Sequence, residues 1–221
     1  MQLGRPVGPA YPPFIIAAID CTGTKRIEEV LTALDAAADA KFDAVKIATL
    51  PTSWYPRIFQ RAEDRGLFVL PSVGDERTVE RLDWLGAHAF EIFFDWADLD
   101  LVTAAARTGK PLLLSVANAS DVQLAEVVAR ARAEGAASVA IVQRVVAGVD
   151  ALAGLARHGT VLGISSRPAA PLLLREAVAR GARIVEVRLR ARRLVELQNF
   201  VRDGERTWAA LGSSHEGWTT N

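Results

Sequence analysis

Residues 14–48 read FIIAAIDCTGTKRIEEVLTALDAAADAKFDAVKIA. The stretch opens on a short apolar run, Phe14 to Ile19, passes through a polar turn into Arg26 to Ala40, and closes on a second apolar run, Ala44 to Ala48. In the middle segment Ile27, Val30, Leu31 and Leu34 share one stripe at helical spacing, the pattern of a helix with one buried face. The flanking runs are short and apolar throughout, as strands covered on both faces are. The unit is strand, helix, strand.

The same alternation continues to the end of the chain. Apolar runs recur at Leu67 to Leu70, Ala89 to Phe94, Leu112 to Val116, Ala137 to Val142, Val161 to Ile164 and Ile184 to Leu189. A near-constant spacing of this kind marks one repeated supersecondary unit. Eight strand-then-helix units within about 200 residues predict an α/β fold, a single (β/α)8 barrel rather than an open doubly wound sheet. Asp121 to Glu134 carries a second clear stripe, with Val122, Leu124, Val127 and Val128. Thr24 and the pair Ser120-Asp121 are of the residue types that cap helix N-termini, and Gly66, Gly135, Gly159 and Gly181 stand where helices end. The barrel domain is expected over 1–211. A Pro-rich segment, Pro6 to Pro13, precedes the first strand, and 212–221 forms a polar tail containing Trp218.

Composition narrows the function classes. The 221 residues carry 26 Lys+Arg and 26 Asp+Glu, and 50% are hydrophobic. A net charge of zero gives no reason to expect nucleic acid, whose binding rests on neutralising phosphates. No apolar run approaches the roughly 18–20 residues of a membrane span. Cys21 is the only cysteine and cannot close an internal disulfide. The expectation is a cytoplasmic protein with a sizeable core.

Charge inside the strands points to the site. Barrel strands are packed on both faces except at their C-terminal ends, where active sites of this fold are built. Side chains alternate, so Val185, Val187 and Leu189 meet the helices while Glu186, Arg188 and Arg190 enter the barrel. On the same logic Lys46 and Glu91 point inward. Lys46, Glu91, Gln143 and Glu186 or Arg188 are expected to share one polar layer. The remaining strands end in Asp20, Ser72, Ser115 and Ser165-Ser166, with Arg167 just beyond. A structural alternative is that Lys46 and Glu91 simply neutralise one another.

Two kinds of chemistry lack their residues. His88 and His158 precede strands, at the far end from the expected site, and His215 is in the tail, so neither a histidine nor a cysteine metal site is expected. No dinucleotide fingerprint and no phosphate-binding loop is present, so no cofactor is expected. Ser165 has no base histidine near it in sequence.

Five segments in register resemble the barrel domain of the N-acetylneuraminate (sialic acid) synthase family. They are Tyr11-Pro12-Pro13-Phe14-Ile15-Ile16-Ala17, Phe42-Asp43-Ala44-Val45-Lys46, Gly109-Lys110-Pro111-Leu112-Leu113-Leu114-Ser115, Gly163-Ile164-Ser165 and Ala209-Ala210-Leu211-Gly212. The resemblance implies condensation of phosphoenolpyruvate with an aldehyde sugar, assisted by a divalent metal and by lysines that hold phosphate and carboxylate. Lys46 matches the strand-two lysine of that family, and Ser72 replaces a phosphate-contacting Thr. Other positions depart from it. The strand-four Lys becomes Glu91, the first-strand catalytic Glu becomes Ala18, and the strand-six His falls on Gln143. The Ser-Asp-His after strand seven becomes Ser165-Ser166-Arg167, and the strand-eight Glu-Lys/Arg-His becomes Glu186-Val187-Arg188. The family's C-terminal antifreeze-like domain has no counterpart in this sequence.

The leading expectation is an enzyme of that descent making or breaking a carbon–carbon bond in a small anionic substrate without metal. Arg167, Arg188 and Arg190 would bind the anion with Ser72, Ser115, Gln143 and Ser165. Lys46, Glu91 and Glu186 would carry the chemistry. Two alternatives are a non-catalytic binding barrel, with Trp54-Tyr55 and Phe93-Phe94 to Trp96 as mouth aromatics, and a Schiff-base aldolase at Lys46. A homodimer is compatible with the sequence.

Overall fold

The computed structural model describes residues 1–48, 50–94, 99–144, 151–166, 171–189 and 205–210. It is a closed barrel of eight parallel strands with helices between them. A two-stranded antiparallel hairpin, β1 (Gln2–Leu3) and β2 (Arg5–Pro6), precedes it. The chain then runs β3 (Phe14–Ile19), α1 (Ile27–Asp39), β4 (Ala44–Ala48), α2 (Tyr55–Asp64), β5 (Phe68–Val73) and α3 (Glu76–Trp84). It continues through β6 (Phe90–Phe93), α4 (Leu99–Arg107), β7 (Leu112–Val116), α5 (Asp121–Ala133) and β8 (Val139–Arg144). The last elements are α6 (Ala151–Leu155), β9 (Val161–Ser166), α7 (Pro171–Ala179) and β10 (Ile184–Leu189), and 205–210 is again helical. β10 pairs with β3 over Ile184↔Phe14 to Leu189↔Ile19 and closes the ring.

Alternation sorts the apolar residues into two cores. Outward-facing Ile15, Val45, Ile47, Phe90, Ile92, Leu114, Ile141, Val185 and Val187 pack with the helices. Inward-facing Phe14, Ile16, Ala44, Leu70, Leu113, Ala140, Val142 and Ile184 fill the lower barrel. Leu3 and Val7 join this inner cluster from the N-terminal hairpin, so the segment around Pro6 to Pro13, read from sequence only as a lead-in, helps close the bottom of the barrel. Arg5 fixes it there. Its guanidinium donates to both Asp43 carboxylate oxygens at 2.6 and 2.8 Å and to the carbonyls of Pro12 and Pro13 at 3.1 and 2.8 Å. Asp43 also accepts from the Ile15 backbone N–H at 2.7 Å.

Three strands begin or end later than their apolar runs suggest: β5 reaches Val73, β8 reaches Arg144 and β9 reaches Ser166. Ladder pairing continues into residues whose polar side chains face the mouth, and an apolar-run reading stops short of them. Ser120 does cap α5 in a reciprocal capping box with Gln123. Thr24 does not cap α1, which follows Arg26 without a side-chain cap. Gly66, Gly135, Gly159 and Gly181 all adopt positive φ. Among the described residues no helix is long and apolar enough to cross a membrane. The tail 212–221 lies outside the described residues.

Close packing inside the barrel has one sharp requirement. A Cβ on Gly163 of β9 would stand 2.8 Å from Ile184 Cβ and 2.9 Å from the Ile184 carbonyl oxygen. Gly163→Ala is therefore expected to destabilise the protein by about 1–3 kcal/mol through overpacking. Urea unfolding would show a lower midpoint at unchanged slope; an unchanged midpoint would mean that β9 and β10 are not held this close.

Candidate functional site

Above the inner apolar cluster the inward-facing positions turn polar. Lys46 on β4, Glu91 on β6 and Glu186 on β10 project into the barrel from three separate strands. The Lys46 ammonium lies 2.7 Å from Glu186 Oε2 and 3.3 Å from Glu91 Oε1. Both carboxylates are almost wholly buried, Glu91 at 2% exposure and Glu186 at 1%. Ser165, inward on β9 and paired in register with Glu186, donates its hydroxyl to Glu186 Oε1 at 2.6 Å. Arg188, one inward step above Glu186, has its Nε 3.9 Å from the same oxygen.

Burial and charge compete at these groups. Burial pulls the Lys46 pKa down, but the charges of Glu186 and then Glu91, with their hydrogen bonds, outweigh it and raise it above the ordinary 10.5. Burial likewise pushes Glu91 up, but the Lys46 charge and the neighbouring Ser115 and Ser72 hydroxyls hold it below the ordinary 4.5. Neither hydroxyl closes a hydrogen bond of good geometry on the second oxygen. Glu91 Oε2 and Ser115 Oγ are both buried without a hydrogen-bond partner among the described residues.

Most of the residues expected at the site are brought together. Lys46, Glu91 and Glu186 meet directly, Ser165 binds Glu186, Ser72 stands opposite Glu91 in the β5–β6 register, and Ser115 faces inward beside them. Gln143 does not join them. It pairs in register with Val116 and Ile164, both packed on the helix side, so it faces outward; its amide donates to the Ala117 and Arg144 carbonyls at 3.3 and 3.2 Å. The expected polar layer therefore loses Gln143, because β8 presents Ala140, Val142 and Arg144 to the interior. Arg167 and Arg190 lie outside the described residues, as does Trp96. Tyr55 and Phe94 are buried in the helix-side core and Trp54 packs against it, so these three are not a mouth platform. Burial and then the nearby Cys21 push the Tyr55 hydroxyl to about 12.

Arg144 is the residue that the sequence reading underweighted. Its guanidinium lies over the inward-facing Phe93 ring, 4.7 Å from the centroid. The signal was available in the parity of β8, had that strand been extended two residues.

The divalent metal implied by the sequence resemblance does not fit the described donor set. The two inward carboxylates share an ammonium between them, Gln143 turns away, and no group of three His, Cys, Asp or Glu gathers among the described residues.

A family model described as the NeuB family matches residues 21–147. A pseudaminic acid synthase of Helicobacter pylori is 29% identical over 92 residues, which is 41% of this chain and 27% of that protein. This chain thus aligns with only about a quarter of that curated relative. The fold superposes on the Bacillus subtilis spore coat polysaccharide biosynthesis protein SpsE with a TM-score of 0.83 at 23% identity, covering 100% of this chain and 74% of that one. It superposes on the N-acetylneuraminic acid (sialic acid) synthetase of Leptospira borgpetersenii with a TM-score of 0.84 at 21% identity, covering 96% of this chain and 90% of the other. A truncated 3-deoxy-D-arabino-heptulosonate 7-phosphate synthase of Thermotoga maritima follows at 0.69 and 16%, covering 90% and 88%.

The ion cluster makes a prediction for pH and stability. A lowered Glu91 pKa contributes stability above about pH 4.5 that is lost as pH falls through the folded value. A raised Lys46 pKa contributes stability below 10.5 that is lost as pH rises through the folded value. Lys46→Met leaves two buried carboxylates without their cation and is expected to cost about 3–5 kcal/mol at neutral pH. The deficit should shrink as pH falls, because without the ammonium burial pushes the Glu91 carboxyl up and it takes up its proton before the wild type does. Denaturation curves across pH would check this, and a deficit independent of pH would contradict it.

Proposed function

Because the chain belongs to the NeuB family and carries its sialic-acid-synthase-like barrel, we propose that the barrel mouth acts on a small anionic substrate of the phosphoenolpyruvate type. It would form or break a carbon–carbon bond there without a divalent ion. The observation that carries this reading is Lys46 held between Glu91 and Glu186 at the C-terminal end of the strands. An ammonium fixed by two carboxylates is a preorganised N–H donor that needs no reorganisation as negative charge develops beside it, with Arg188 offsetting the second carboxylate. Arg188, and beyond the described residues Arg167 and Arg190, would supply forks of N–H donors for carboxylate or phosphate. Glu91 and Glu186 would accept protons or hydrogen bonds from substrate hydroxyls. A Schiff base at Lys46 is disfavoured, since the two carboxylates keep the amine protonated and without the lone pair that it needs.

A second reading is a barrel that binds such an anion without converting it. It is favoured by the loss of a carboxylate at Ala18 and by the use of Lys46 on its own neighbours.

Metal-stripped protein is expected to be stabilised by phosphoenolpyruvate or inorganic phosphate, equally with and without manganese. Ligand at a hundredfold excess over Kd adds about 2.7 kcal/mol, roughly 5–10 °C in melting temperature for a chain of this size. Arg188→Ala should remove most of the shift. A shift that needs manganese would contradict the metal-free reading. Product formed from phosphoenolpyruvate and an aldose, followed by mass spectrometry, separates the enzyme from the binding barrel.

A further inference from the structure

Three neighbouring strands build a wall that the ion cluster does not use. On β6 the inward positions are Glu91 and, above it, Phe93; on β7, Ser115; on β8, Val142 and, above it, Arg144. Register places Ser115 level with Phe93 on one side and Val142 on the other. The wall therefore has Arg144 over the Phe93 ring at its rim, Ser115 beside that ring and Glu91 one inward step below it.

Each part has a gap. Burying a polar atom without a hydrogen bond is costly, because the water it gives up is not replaced. Glu91 Oε2 and Ser115 Oγ are both left so among the described residues. The Ser115 and Ser72 hydroxyls neighbour Glu91 without closing a hydrogen bond of good geometry on Oε2, so a ligand hydroxyl fits here by donating to Oε2 and accepting from Ser115. At the rim, the half-buried Arg144 packs its guanidinium face on Phe93, and among the described residues it has no carboxylate partner. Stacking holds the planar fork in place and leaves its edge N–H donors for a ligand.

We infer that this wall is a specificity subsite for a small hydroxylated anion: Arg144, held by Phe93, receives its carboxylate or phosphate, and Glu91 Oε2 with Ser115 Oγ receives its hydroxyl. The inference rests on the reading of the mouth as an anion site, and it names the face that selects among anions. A carboxylate oxygen without a hydrogen-bond partner asks for O–H or N–H. A bare carboxylate such as propionate answers only the rim. Glycerate answers both levels, because it carries hydroxyls on the carbons one and two bonds from its carboxylate carbon.

The test uses the full chain with glycerate and propionate as probes, followed by saturation-transfer NMR and calorimetric titration. Phosphate and phosphoenolpyruvate serve as general anion probes. The wild type is expected to bind glycerate about tenfold or more tightly than propionate, since a site left with unpaired polar groups rejects the analogue that lacks the hydroxyl. Arg144→Ala should weaken glycerate about tenfold or more. Arg144→Lys should recover only part of that, because a point charge neither stacks nor forks. Glu91→Gln should narrow the preference of glycerate over propionate. If Arg144→Ala fails to fold, the arginine Nε resonances of the wild type decide: glycerate must shift one that is missing in Arg144→Lys. Equal binding of glycerate and propionate, or glycerate binding unchanged in the Arg144 variants, overturns this inference and leaves the anion site standing. A wild type that binds phosphate or phosphoenolpyruvate but not glycerate does the same. A wild type that binds none of the four anions overturns both.

Discussion

An ammonium between two buried carboxylates is the constraint around which the upper half of this barrel is arranged. Taking three ions out of water costs several kcal/mol apiece, and only close mutual contact offsets it. Lys46 meets that condition by reaching Glu186 at 2.7 Å and Glu91 at 3.3 Å. The three residues come from β4, β6 and β10, so the contact spans the closed ring and not merely neighbouring strands. One ammonium and two carboxylates leave a net negative charge, which Arg188, 3.9 Å from Glu186, balances. Arg144 is then additional positive charge at the rim, and it faces the side where Glu91 and Ser115 have unfilled hydrogen bonds.

The rest of the fold serves to hold those strands in register. The helix-side core fixes which face of each strand points inward, and that face carries the chemistry. Below, Phe14, Ile16, Leu70, Leu113 and Ile184 make a dry floor, and the N-terminal hairpin seals it through Leu3, Val7 and the Arg5–Asp43 fork. The close approach of β9 and β10 at Gly163 brings Ser165 level with Glu186, where its hydroxyl occupies a lone pair of the carboxylate. Stability sits at the bottom and the polar work at the top, the division expected of this architecture.

The barrel was legible because period and strand parity need no tertiary information. The inward placement of Lys46, Glu91, Glu186 and Arg188 followed from the two-residue alternation alone. What the sequence hid depended on where strands end. Gln143 is expected in the polar layer from its place at the end of β8 alone, with no parity worked out for that strand, and alternation in the ladder puts Val142 and Arg144 inward instead. Trp54, Tyr55 and Phe94 looked like mouth aromatics because they follow strands, yet their apolar surface is taken by the helix-side core. The hairpin was missed because two-residue strands carry no periodicity, and its anchor, Arg5 on Asp43, joins residues far apart in the chain. That Lys46 bridges two carboxylates rather than pairing with Glu91 is a distance across the barrel, which no local pattern encodes.

The central claim is that Lys46 is a permanent cation clamped by Glu91 and Glu186. Its most direct test is a pH titration of the Lys46 side-chain Cε and Nζ resonances by NMR in protein labelled at lysine, with Lys46→Arg to assign the signal. The account predicts that Lys46 stays an ammonium beyond 10.5, the ordinary value for a lysine. It also predicts that Glu91→Gln brings its transition down. A Lys46 that loses its proton below 10.5 in the folded wild type would contradict the clamp and the proposal built on it.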